Sequence, residues 1–170
     1  MSDWYWFTEQ SQLMLSMGKQ WQCATAYGQK QIVDLPLSHQ HFSLCDTECY
    51  LSLANHLVEG RGKFSQAQLT HILINATAAM TFHKPVSPKS WFLDEVESFG
   101  FHHRLATVTN KYNSAVVLVL TDEHTFATCM LVSSKLQLNE NKYLNQFDLI
   151  KLGKTRLEPL FAETYSQLTA

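Results

Sequence analysis

Glycine is scarce, with six in 170 residues, and proline numbers only four. So few glycines leave little backbone for a loop that cradles phosphates, and neither the P-loop spacing nor G-x-G-x-x-G occurs. The G-x-S-x-G nucleophile elbow is missing too. No charge dominates: 13 lysines and arginines face 15 acidic residues, for a net charge of −2. A nucleic-acid module usually carries a strong basic excess, so nucleic acid is not expected as the main partner. The longest aliphatic run, Ala115 to Leu120, is far too short to span a bilayer. The opening MSDWYWF has neither the basic start nor the apolar stretch of a secretory leader. The expected setting is therefore the cytoplasm, with no membrane contact. The four cysteines are expected to be free there, filling the core as small apolar groups.

What is present is enough apolar material, 45% of the chain, for one domain or two small ones. Residues 4 to 27 read as a short antiparallel meander. Trp4 to Phe7 is aromatic, Leu13 to Met17 is apolar, and Trp21, Cys23 and Thr25 alternate with their neighbours. Trp4 and Trp6 share one strand face and Tyr5 and Phe7 the other. Large aromatics of this kind, with Trp21 and Trp91, are expected to anchor the core. Asp46 is a plausible N-cap for a helix with Tyr50, Leu53, Ala54 and Leu57 on one face, and Gly60 is placed to stop it. Ser65 and Gln68 have the spacing of a capping box for a second helix. Its expected buried stripe is Leu69, Ile72, Leu73, Ala76 and Met80, and Pro85 ends it. Beyond residues 93 to 98 the pattern becomes short strands: Phe101–Val108, Ala115–Leu120, Phe126–Val132, Leu136–Leu138 and Phe147–Leu152, separated by polar turns such as Asn139–Asn145. Strands at this spacing indicate a small barrel or a sandwich. The expected class is α+β: an N-terminal α/β domain over residues 1–93, then a β domain over 94–170 whose polar tail from Phe161 is loosely held.

Several constellations invite chemistry. His39, His41, Cys45 and Cys49 are zinc-ligand types, but all fall in one short segment and no distant second pair completes them. Surface histidines and buried cysteines are the expectation, with no metal. His102, His103 and Arg104, read as a strand, would alternate faces, so the two histidines would not share a ligand. Asp94, Glu95 and Glu97 cluster in the connector, without the shaped cavity that paired acid–base work requires. No catalytic residue and no cofactor is expected. The stretch Leu69 to Leu93, LTHILINATAAMTFHKPVSPKSWFL, is different. Its helix runs into a proline-stiffened elbow carrying Lys84 and Lys89, followed by Trp91 and Phe92. A preorganised basic loop beside aromatics loses little entropy on meeting an acidic partner. Lys151, Lys154 and Arg156 are further cations that could extend the same field.

The KP…PKSW elbow, the opening Trp4-Tyr5-Trp6-Phe7 with Leu13-Met14-Leu15, and Leu149-Ile150-Lys151 followed by Thr155-Arg156-Leu157-Glu158-Pro159 resemble, in order and spacing, the ZapC family of gamma-proteobacterial cell-division proteins associated with the FtsZ ring. The resemblance implies an α/β N-terminal part and a barrel-like C-terminal part. It implies a non-enzymatic adaptor that binds FtsZ filaments at mid-cell, bundles them laterally and stabilises the division ring. It places Leu15, Lys84, Lys89 and Arg156 where partner-binding or pocket-lining residues stand, with Trp91, Lys151 and Lys154 as neighbours. A monomer is the expected state. Two other classes are open: a small barrel binding a small molecule or single-stranded nucleic acid through its aromatics, and a metal-dependent enzyme using the histidine–cysteine segment.

Overall fold

A computed structural model describes residues 1–60 and 63–161. The expected tail beyond Phe161 lies outside the described residues. The class is α+β, with two α-helices and three antiparallel sheets among the described residues. The chain divides into two compact units, Met1–Ala54 with Phe64–Pro85, and Asn55–Lys63 with the residues from Val86 onward.

The first unit is built on strands β1 (Trp4–Glu9), β2 (Gln12–Met17), β3 (Gln22–Gly28) and the two-residue β4 (Gln40–His41), in the order β3-β2-β1-β4. The β1–β2 hairpin closes on Gln10 and Ser11, whose φ angles of 50° and 64° supply the two left-handed residues that a tight hairpin needs, without glycine. β3 alternates as expected, with Cys23, Thr25 and Tyr27 buried and their neighbours exposed. Trp6 is fully buried against Phe42 and Phe82. Tyr5, on the opposite face, stacks on His39 at 4.1 Å.

Helix α1 (Leu44–Glu59) begins earlier than its sequence implies. Ser43, not Asp46, is the N-cap: Ser43 Oγ accepts from Asp46 N and Asp46 Oδ2 accepts from Ser43 N, a capping box with aspartate at the third position. Asp46 is buried because its carboxylate also accepts from Trp6 Nε1 on β1 and Thr81 Oγ1 on α2. Helix α2 (Gln66–Phe82) has the expected Ser65–Gln68 capping box. It is buried on all sides from Ile72 to Ala79, so no single stripe describes it, and Met80 is 45% exposed rather than part of the core. Asn75 ties it to the sheet, accepting from Ala26 N at 2.7 Å.

The second unit holds β5 (Leu105–Thr109), β6 (Ser114–Asp122), β7 (Phe126–Leu131), β10 (Leu149–Gly153) and the two-residue β11 (Glu158–Pro159), in the order β10-β7-β6-β5-β11. β8 (Lys135–Asn139) and β9 (Lys142–Asn145) form a separate hairpin. β9 falls in the segment expected to be a polar turn; three of its four residues are exposed, so no hydrophobic pattern marks it. The strand expected from Phe101 begins only at Leu105, because His103 and Arg104 turn with φ of 46° and 66°.

Of the small barrel or sandwich expected here, a closed barrel is not found: among the described residues β10 and β11 are opposite edges of an open sheet. The sheet is nevertheless rolled. Four interstrand gaps of ~4.8 Å would separate those edges by ~19 Å if it were flat. Residues 154–157 alone join them, and Lys154–Arg156 is wound as a 3₁₀ turn that advances only ~2 Å per residue. Hydrogen-bonded closure is missing because β11 is very short and carries Pro159, which has no N–H. Residues 88–100 lace the gap instead: Lys89 N donates to Lys151 O, Asp94 N to Thr109 O, Val96 N to Thr155 O and Gly100 N to Leu157 O, each at 2.8–2.9 Å.

Leu93, Val108, Val119, Cys129, Leu131 and Leu152 are among the side chains packed inside the roll. Burial pushes the Cys129 thiol far above its ordinary value, and Cys23 is shifted the same way, whereas Cys45 is exposed. A disulfide reagent added to native protein at pH 8 is therefore expected to modify Cys45 at least about a hundredfold faster than Cys129, since only the thiolate attacks. Mass spectrometry of the labelled peptides checks this; comparable rates would show that the second core opens readily.

Candidate functional site

The basic elbow is divided between the units. Lys84 stands next to the end of the first, where its N–H donates to Gln31 O and its Nζ reaches Lys30 O at 3.2 Å. It is exposed, and its side chain meets no carboxylate among the described residues. Leu15 is fully buried in the first unit, where a side chain acts through packing.

Lys89 is in the second unit, in the segment that laces the rolled sheet. Pro88 bridges to Lys151, and Ser90 Oγ accepts from Gly153 N at 2.6 Å. The proline and serine of PKSW thus pin this backbone to β10 and present Lys89 and Trp91 from a fixed frame. The neighbouring cations are neutralised. Lys151 Nζ lies 2.8 Å from Glu123, and Lys154 Nζ lies 2.5 Å from Asp122. Arg156 pairs with Glu95 at 3.4 Å and also donates to Leu93 O, so it braces the lacing segment. Exposed pairs of this sort contribute ~0–1 kcal/mol to stability, but they cancel the charge a partner would feel.

Lys89 is the exception. Among the described residues it faces no carboxylate and instead faces Lys142, on β9. The Lys142 charge pulls the Lys89 pKa below the usual lysine value, with smaller contributions from desolvation and from direct contact between the two amines. Lys142 Nζ stands 5.3 Å from the Phe92 ring centre, and Phe92 packs at 5.5 Å against Trp91, which is 70% exposed. On the same hairpin Lys135 Nζ lies 3.9 Å over the Tyr143 ring. The result is two uncompensated ammonium groups beside a ledge of aromatics, an arrangement suited to carboxylate-bearing partners. Lys142 was not found from sequence, because it sits in the stretch read as turn. The available signal was Glu140-Asn141 between two alternating segments, Leu136/Leu138 and Leu144, which is hairpin spacing.

Trp21, expected in the core, is 70% exposed, as is Trp91. Of the suspected zinc ligands, His39 is taken up by Tyr5, Cys45 is exposed and Cys49 is half-buried. None of the four belongs to a cluster of three potential metal ligands among the described residues.

These features define a two-unit α+β protein with a basic, aromatic surface. Residues 1–84 match the family model for the N-terminal part of cell-division protein ZapC, and residues 85–163 match the model for its C-terminal part. A cell division protein ZapC of Pseudoalteromonas atlantica is 36% identical over 166 residues, covering 95% of this chain and 93% of its own. Those of Shewanella woodyi and Shewanella oneidensis are 33% and 32% identical, covering 93% and 96% of this chain and 89% and 94% of theirs. The chain belongs to the ZapC family of cell-division proteins. No helix among the described residues is long and apolar enough to cross a membrane.

Proposed function

We propose that this protein is a non-enzymatic adaptor that binds FtsZ filaments in the cytoplasm at mid-cell, draws them together laterally and stabilises the division ring. Membership of a cell-division family supports the setting. The observation that carries the mechanism is the Lys89–Lys142 pair beside Trp91. Two like charges held together repel, and a docked carboxylate relieves that repulsion while the aromatic ledge supplies apolar area. Lateral association needs two contacts per assembly. Each unit offers an uncompensated basic residue, Lys84 in the first and the Lys89–Lys142 pair in the second, so a monomer could supply both contacts by multivalency.

Co-sedimentation with FtsZ of the same organism in GTP, at low and moderate salt, tests the reading, with bundles counted by electron microscopy. Pelleting with more bundles that weakens as salt rises is the expected result. No pelleting at either salt would overturn it. Trp91→Ala is expected to leave stability within ~0.5 kcal/mol, as at other exposed positions. The same change is expected to weaken FtsZ binding by ~2 kcal/mol, as loss of an interface tryptophan does. Unchanged binding would remove the ledge from the contact.

A further inference from the structure

Away from the basic surface, the second unit brings together three potential metal ligands that the proposed function does not use. His56 and Glu59 lie three residues apart on the last turn of α1, so both project from one face. His103 comes from the turn before β5. The ligand atoms of the three lie within 4.8 Å of one another, with His103 Nδ1 3.6 Å from Glu59 Oε2.

Three further observations show that the cluster is built. His56 Nδ1 is buried and has no hydrogen-bond partner, an unusual state for a buried polar atom. His103 and Arg104 both hold left-handed φ, a conformation that non-glycine residues adopt at a cost and that is concentrated at functional sites. Gly60 lets the turn approach: a Cβ there would stand 2.9 Å from His103 Cβ. His56 and His103 also line a cleft of about 350 Å³, together with Phe101, His102, Arg104 and Asp122.

We propose that His56, Glu59 and His103 bind a divalent transition metal, zinc being the best match. Two imidazoles and a carboxylate are a ligand set that zinc accepts in tetrahedral geometry, leaving a fourth position to solvent. Bonds of ~2.0–2.1 Å would place ligand atoms ~3.4 Å apart, so the groups must draw in by ~1.5 Å at most. Glu59 and His103, at 3.6 Å, already stand close to that spacing, and the Glu59 side chain, 65% exposed, is free to adjust. The bound ion would staple the last turn of α1 to the turn at His103. This differs from the histidine–cysteine site considered from sequence, and it was hidden because His103 was read as part of a strand.

The test is titration of untagged full-length protein with Co²⁺, followed by visible absorption and by thermal melting. The expected result is one equivalent bound with the bands of a four-coordinate ion. A saturating hundredfold excess over Kd should raise Tm by about 5 °C or more. Glu59→Gln and His103→Ala are expected to weaken binding at least tenfold, while His39→Ala leaves it unchanged. Glu59 is exposed, so its variant tests the site even if His103→Ala folds poorly. No cobalt bands, affinity unaffected by Glu59→Gln, or a thiolate charge-transfer band from Cys45 or Cys49 would each overturn the assignment.

Discussion

Replacing Asp46 with alanine is expected to destabilise the first unit by ~2–4 kcal/mol, because one buried donor and two partly buried ones lose a charged acceptor. Asp46 is the single acceptor for three groups from three elements: Trp6 Nε1 on β1 at 3.2 Å, Ser43 N at the start of α1 at 2.8 Å, and Thr81 Oγ1 on α2 at 2.6 Å. Hydrogen bonds to a charged group contribute ~1.5–3 kcal/mol each; Trp6 Nε1 is the buried donor that would be left without an acceptor, whereas Ser43 N and Thr81 Oγ1 are only partly buried and can turn to water. The three share one carboxylate, so their losses overlap and do not add in full. In a chain of this size the result is a fall in melting temperature of about 10 °C. Thr81→Val removes one donor and keeps the shape, and is expected to cost ~1 kcal/mol. Asp46→Asn should fall between the two, because the amide keeps one acceptor oxygen and adds donors that have nothing to meet. Thermal melts followed by tryptophan fluorescence would report this through Trp6, which is fully buried. A loss below ~1 kcal/mol for Asp46→Ala would mean that water enters and satisfies the donors.

Asp46 also shows how far local sequence reaches. As a short polar residue ahead of an apolar helical pattern it reads as an N-cap, and the helix it announces is real. Its role as a buried hub depends on Trp6 and Thr81, 40 and 35 residues away, and no local pattern reports that. The same division runs through the molecule. The β1–β2–β3 meander and the Ser65–Gln68 box were legible because each is decided within a few residues. The open but rolled sheet was not, because it depends on how far residues 154–157 can stretch and on which segment fills the gap. The lysines of the elbow were visible as residue types. That Lys151, Lys154 and Arg156 are already paired while Lys89 is not depends on Glu123, Asp122 and Glu95, none of them close in sequence to their partners. The turn at His103 was concealed for another reason: its residues suit a strand, and only the left-handed backbone departs from one.

If the proposed FtsZ contact is made here, reversing both charges of the unpaired couple, Lys89→Glu with Lys142→Glu, is expected to weaken it by ~2–3 kcal/mol, roughly 30- to 150-fold, because like charges placed across an interface repel. Stability should not fall. The two ammonium groups repel one another, which is why the Lys89 pKa is lowered, so Lys142→Gln alone should bring that pKa back up and leave Tm equal or slightly higher. The direction follows from the charge: the folded state holds the Lys89 proton less tightly than the unfolded chain does. Removing the neighbour removes a destabilisation that is present below the shifted pKa and vanishes above the unfolded value. Lys151→Gln and Lys154→Gln provide the comparison. Both lysines are already neutralised by Glu123 and Asp122, so their loss should change binding by less than about threefold. Sedimentation of each variant with FtsZ at matched salt, alongside its melting curve, distinguishes the outcomes. If the double reversal binds as wild type does, the contact lies elsewhere on the chain. If the Lys151 and Lys154 variants lose as much as the double reversal, the partner reads net charge over the whole surface and the Lys89–Lys142 pair has no special part in it.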